Sequence, residues 1–352
     1  MTVLSTRLQT PLLLIGITAV VLAVGTAGGP TLERVATLSL ISVVFVVGLS
    51  TFSGNSGVMS FGHVAFMAVG AYTTAYLTIP VPLKGVLFAN LPESLRWLAE
   101  VHTSASAAVL LSCAMAAVAG LVTAPVVARL SGLQSGIATL AFLLVVYNVL
   151  NSWTDVTRGS SSMIGLPRST TIVTAFVAAA LAIAVGWAYR TSRSGLQLQA
   201  GREDYWAAQA AGIAVGRHRA IAWVLSATIC GLAGSLYASF LTTFNVNAFF
   251  LSATFAFVVM IVLGGYLSLS GAVLGAIGVS VLQELLRRLQ DGGLTGGSAL
   301  PPGTANLLLA LVLLLTLVKA PYGVMGAREL VLVRGGRRLR RGAQAVRTPA
   351  GS

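Results

Sequence analysis

Long apolar runs separated by short polar breaks make up most of this chain. Ten runs emerge: Pro11 to Gly29, Val35 to Leu49, Phe52 to Leu77, Ala105 to Ala128, Leu133 to Trp153, Thr170 to Tyr189, Ala220 to Leu241, Phe249 to Leu269, Ala272 to Leu286 and Thr304 to Lys319. A helix crossing a bilayer needs about 20 apolar residues, and most of these runs approach that length. The pattern predicts an all-α fold, a polytopic transmembrane helical bundle of about 10 hydrophobic segments. Phe52 to Leu77 is rich in glycine and serine, which favours close helix approach or a broken, partly unwound span; it and Gly271 to Leu286 are candidates for re-entrant segments. The first run follows Arg7 in the order of a secretory signal, yet the second begins almost at once, so a retained first span is expected. Pro80 to His102 is too polar and broken to span and reads as a loop with a short interfacial helix.

One stretch breaks the pattern. Ser192 to Ala238 opens with the longest polar island between apolar runs, carrying Arg193, Arg202, Glu203, Asp204, Arg217, His218 and Arg219. Read as a helix, Gly201 to Gly212 places Trp206, Ala207, Ala210 and Ala211 on one face and crowds Arg202, Glu203 and Asp204 into the first turn. Acidic residues suit a helix start and Gly212 suits a stop. A helix of two to three turns cannot hold itself together in water, so it requires a partner surface, either the membrane or another protein's groove.

The run R-E-D-x-x-A-A-x-x-x-G-I, from Arg202 to Ile213, precedes an apolar helix with G-L-A-G-S-L-Y-A, Gly231 to Ala238. It resembles the cytoplasmic coupling loop of ABC-importer permeases, most closely the branched-chain amino acid permeases of the LivM type. Two further signatures agree: S-G-x-x-S-x-G-H-x-A-F-x-x-x-G-A-Y from Ser56, and A-P-Y-G-V-M-G near the end. The broader motif has a glutamate before its paired alanines, where this chain has Trp206; the acidic residues stand upstream at Glu203 and Asp204. The resemblance implies one permease domain over residues 1–326 with a coupling loop at about 190–219, followed by a basic, unstructured cytoplasmic tail over 327–352. It also implies that Arg202, Glu203, Asp204, Trp206, Ala207, Ala208, Ala211 and Gly212 dock into an ATPase. The implied partners are two ABC ATPase subunits, a second permease (the same or a different chain), an extracytoplasmic substrate-binding protein and membrane lipid. Branched-chain amino acids are the expected substrate; urea, amides and sugars stay open, because relatives share these motifs.

Composition narrows the alternatives. Only 9% of residues are charged and 56% are hydrophobic, against about 25% charged in a soluble domain. Cys113 and Cys230 lie inside apolar runs and read as packing residues. The net charge of +13 invites a nucleic-acid reading, but the basic residues stand at the ends of apolar runs, where they set orientation. An even number of spans puts both termini on one side. On that assumption fifteen basic residues (Arg7, Arg129, five in the loop at about 190–219, Lys319 and seven in the tail) face seven (Arg34, Lys84, Arg96, Arg158, Arg168, Arg287 and Arg288). The positive-inside rule then places the termini and the island in the cytoplasm of a bacterial inner membrane.

Neither Lys84 nor Lys319 follows the glycine pattern of a phosphate-binding loop, so ATP is expected on a partner subunit, with no cofactor in this chain. Of nine carboxylates only Glu284 falls within a run, which disfavours a stand-alone proton-coupled carrier. No catalytic cluster and no metal spacing appears, so the chain reads as a transport subunit, not an enzyme. His63 is the ionisable residue inside the glycine-rich block, and with Asn55 and Ser60 it is a candidate for the translocation path. Finally, Val46 to Gly54 and Leu263 to Gly271 share a glycine followed six residues later by a Ser-Gly end, as a duplication or chance would leave.

Overall fold

Helix boundaries fall where the sequence supplies caps. The Ser104 side chain accepts from the Ala107 N–H, Thr171 and Thr174 form a reciprocal capping box, and the Ser268 side chain accepts from the Gly271 N–H, each at the head of a long apolar helix. The computed structural model describes residues 2–88, 91–130, 132–291, 301, 303–319, 323–326 and 328–330. Among them run α1 (Thr2–Ala27), α2 (Gly29–Ser56), α3 (His63–Thr78), α4 (Val81–Leu87), α5 (Trp97–Glu100), α6 (Ala105–Arg129), α7 (Gly132–Ser152), α8 (Thr154–Thr157), α9 (Ile172–Thr191), α10 (Arg193–Glu203), α11 (Tyr205–Ala210), α12 (Val215–Leu241), α13 (Leu251–Gly264), α14 (Leu269–Gln290) and α15 (Thr304–Lys319).

Each of the ten apolar runs contributes one long helix among the described residues. Eight are long and apolar enough to cross a membrane; α3 and α15 have 16 residues each, about 24 Å at 1.5 Å per residue. A 118° bend separates α3 from α4. The glycine-rich block is divided differently from the sequence reading: α2 continues through Phe52 to Ser56, and Gly57, at φ +72°, ends it in the left-handed conformation that glycine adopts without cost. The unwound link therefore runs from Gly57 to Gly62, ahead of His63.

Packing places α2 and α12 at the centre. The apolar stretch of α2 is 83% buried, against 17% for α7 at the periphery. Around the centre, α12 lies against α6, α3 and α2, while α2 also meets α9, α14 and α1. Small residues set these approaches: a Cβ on Gly234 of α12 would run into the Met67 carbonyl of α3. Outward-facing Leu110, Leu121 and Val122 of α6, Ile137 and Val145 of α7 and Val177 and Leu181 of α9 are exposed, which suits hydrocarbon and not water.

One end of the bundle gathers the start of α1, the ends of α2, α9 and α13, the starts of α12 and α14, helices α10 and α11, and residues 323–326 and 328–330. The two Ser-Gly stretches meet there, and a Cβ on Gly54 would lie 2.7 Å from the Tyr266 oxygen. Their conformations differ, since Val46 to Gly54 is helical throughout and Leu263 to Gly271 runs from the end of α13 through the link at 265–268 into α14. Beyond Gly326, Glu329 bonds to α14 and Leu330 to α14 and α1. Residues 331–352 lie outside the described residues.

Candidate functional site

The polar island folds as two helices, not one. Asp204, at φ −149° and ψ 111°, is extended and separates α10 from α11; its Oδ1 accepts from the Ala207 N–H at 2.9 Å. The expected single helix from Gly201 fails because this aspartate caps a new helix start instead of filling a first turn. After six residues α11 stops at Gly212, whose φ of +80° and donation to the Gln209 oxygen reverse the chain, and the Ile213 N–H reaches back to the Ala208 oxygen at 3.0 Å.

The faces of α11 are sharply divided. Ala208 is 6% exposed and seats the helix on the bundle, while Trp206 is 77% exposed and Ala207, Ala210, Ala211 and Gly212 are exposed beside it. The Tyr205 and Trp206 rings meet edge to face at 5.4 Å, and the Gln209 amide donates to the Tyr205 hydroxyl at 3.0 Å. The structure thus brings together the four residues of the expected small face and turns them outward. Ala208 points the other way.

Arg202 also points inward. Its guanidinium donates to the Gly54 oxygen at 2.7 Å and pairs at 2.5 Å with the exposed Glu203 carboxylate, while its methylene stem lies against Gly57. Gly201 rests against Val215 and Leu198 is buried, so α10 has an apolar footing as well.

The three residues expected on the path separate into two places. Asn55, buried at the end of α2, donates to the Thr51 oxygen at 2.9 Å and accepts from the Gln199 amide of α10 at 3.1 Å and from Arg190 of α9 at 3.5 Å. Ser60 and His63 sit at the unwound link. His63 Nδ1 lies 2.8 Å from Ser60 Oγ, and its ring is enclosed by Trp223 at 4.8 Å, Phe52 at 5.6 Å and Phe66 at 5.9 Å. His63 is 1% exposed, and its Nε2 finds no hydrogen-bond partner. Trp223 is held in turn by its indole N–H donating to Thr123 Oγ1 at 2.8 Å.

Sequence reasoning passed over Gln199, Trp223 and Glu329. Each lies far along the chain from its partner and matches no short motif, so only the fold pairs them. Among the described residues no three His, Cys, Asp or Glu side chains come together as a metal site.

A multi-pass helical membrane protein with a short, outward-facing helix tethered at one end is the class these features define. The family described as branched-chain amino acid transport system / permease component matches residues 31–317, and the chain belongs to that family. It is similar to the high-affinity branched-chain amino acid transport system permease protein LivM of Escherichia coli K12, 26% identical over 293 residues that cover 73% of this chain and 64% of that protein. LivM of Salmonella typhimurium is 24% identical over 291 residues, with the same two shares. A probable branched-chain amino acid transport permease protein LivH of Methanocaldococcus jannaschii is 25% identical over 206 residues, 54% of this chain and 63% of that one. The chain thus spans a little under two thirds of the length of these relatives. No solved structure matches it.

Proposed function

We propose that this chain is the permease subunit of an ABC importer and moves branched-chain amino acids across the cytoplasmic membrane with ATP hydrolysed by a separate subunit. The observation that carries the reading is α11, a capped helix whose small face and Trp206 stand clear of the bundle while Ala208 and Arg202 fasten it. A six-residue helix buries too little to be stable alone, so so firm a mounting suits a docking element. Two ATPase subunits, a second permease and an extracytoplasmic binding protein complete the assembly. The end bearing α10, α11 and residues 323–326 and 328–330 faces the cytoplasm in this reading, because the fifteen-to-seven excess of basic residues lies on that side. Ser60 and His63, at the link between α2 and α3, are assigned to packing and gate structure beside the path, and substrate is not expected to touch the ring.

Reconstitution in vesicles with the ATPases, second permease and binding protein tests the reading. Leucine, isoleucine or valine is expected to stimulate ATP hydrolysis and to accumulate inside. Stimulation by urea, an amide or a sugar with none by leucine would overturn the substrate; no association with any ATPase would overturn the importer reading. A reporter fused after Ser352 that behaves as extracytoplasmic would overturn the orientation.

A further inference from the structure

Directly behind α10, one arginine bonds to several elements at once. Arg190, in the last turn of α9, donates through Nη2 to the Leu267 oxygen in the link between α13 and α14, at 2.8 Å. Through Nη1 it reaches Asn55 of α2 at 3.5 Å, and its Nε pairs with Glu329 Oε1 at 3.1 Å. Its own carbonyl accepts from Gln199 of α10 at 3.0 Å. Glu329 continues the chain of contacts, accepting from the Leu269 N–H at 2.9 Å, the Ser270 N–H at 3.0 Å and the Ser270 hydroxyl at 2.6 Å, so its carboxylate sits on the first turn of α14. The segment carrying it is strapped down on both sides of Glu329. Val324 and Met325 donate to the Leu263 and Gly264 oxygens of α13, Leu330 donates to Ser270 Oγ, and the Leu330 oxygen accepts from Thr10 of α1.

We propose that Arg190 and Glu329 are positioning residues through which displacement of α10 and α11 reaches α14. The proposal rests on the reading of α11 as the ATPase-docking helix. Stability alone accounts poorly for the pair, since a partly buried ion pair roughly breaks even with apolar side chains of the same size, and a neutral side chain would cap α14. A guanidinium differs in holding several acceptors in fixed directions, so α9 cannot tilt without dragging Leu267, Asn55 and Glu329. Ser192 turns α9 directly into α10, its hydroxyl accepting from the Gly195 N–H at 3.1 Å, which leaves little slack between the docking helix and the joint. The joint covers a narrow crevice between α2, α9 and α14 lined by Ser50, Thr51 and Ser268, so its movement would open or close a hydroxylated cleft.

The test is made on the whole transporter in vesicles, comparing leucine taken up per ATP hydrolysed. For Glu329→Gln and for Arg190→Gln that ratio is expected to fall about tenfold, within the range of site-to-site coupling, while ATP hydrolysis per assembled complex stays within about twofold. The double variant should be no worse than either single one, as residues sharing one network require. Glu284→Gln, which removes an ion pair with Arg287 and Arg288 at the far end of α14, should leave the ratio unchanged. If Glu329→Gln does not assemble, Ser270→Ala removes one of its hydrogen bonds and keeps the ion pair, with a fall of about threefold expected. An unchanged ratio in the assembled variant, or additive losses in the double variant, would overturn the joint alone. An unaltered chain that recruits no ATPase would overturn the joint together with the importer reading.

Discussion

Two regions stand out in the sequence for the same reason, polar residues set between apolar runs, and the structure treats them oppositely. Around His63 the polar atoms are sealed: the ring is packed by Phe52, Phe66 and Trp223, and Ser60 is its hydrogen-bonding neighbour. Around α11 the backbone ends are satisfied locally by Asp204 and Gly212, and the side chains are left facing outward. The difference lies in what finishes the hydrogen bonding. A region whose backbone is completed by its own caps is free to present side chains, whereas an unwound link inside a bundle must spend its side chains on closing itself.

The comparison breaks most visibly at Ala207. Ala207→Trp is expected to insert and accumulate normally, because the site is exposed, yet to abolish leucine-stimulated ATP hydrolysis; forcing bulk into a close contact costs about 1 to 3 kcal/mol. Normal uptake in vesicles would return α11 to a surface linker. Gly212→Val should act similarly for another reason, since nothing lies within 4 Å of its missing Cβ but its φ of +80° strains any branched residue.

At His63 the expected losses exchange places. His63→Ala should lower the thermal unfolding temperature in detergent, because emptying a packed aromatic site costs about 3 to 5 kcal/mol. Uptake per assembled complex should hold. His63→Phe, which refills the cage and removes the unpartnered Nε2, should recover most of the stability. Reduced uptake at full stability in His63→Ala would instead mean that substrate touches the ring.

Smaller effects separate cap from charge on α11. Asp204→Ala loses the hydrogen bond to Ala207, worth about 1 kcal/mol, and should reduce stimulation severalfold; Asp204→Asn, which keeps the cap and drops the charge, should behave nearly as the unaltered protein. Equal loss in both would make charge the determinant. Glu203→Gln, which neutralises the exposed partner of Arg202, should change activity by about twofold or less, and the difference should vanish as salt is raised.

Hydropathy made the ten helices legible, because crossing a bilayer demands length and apolarity that no other feature of this chain imitates. The outward alanines of α11 were legible as a helical face, and Gly212 as its end. Hidden in the sequence was the role of Asp204, since an aspartate at a helix start and an aspartate between two helices look alike until φ and ψ are known. Arg190 could be counted among the basic residues of the loop at about 190–219, but not paired, because Glu329 comes to it only through the folding of α9, α14 and the segment after α15. Trp223 was equally silent. Its place beside His63 depends on how α12 crosses α2 and α3, which spacing along one helix does not encode.

The distance along the chain between Arg190 and Glu329 also sets an order in time. During synthesis α9 and α10 leave the ribosome before α12, α13, α14 and α15 exist, so the Arg190 guanidinium must wait through the insertion of four more long helices for its carboxylate. An arginine left without its partner in a closing bundle is costly, and the hydroxyls and amides at the head of α14 wait for the same residue. The end that carries α10 and α11 therefore gains the Arg190–Glu329 contact only after every one of these helices has been made.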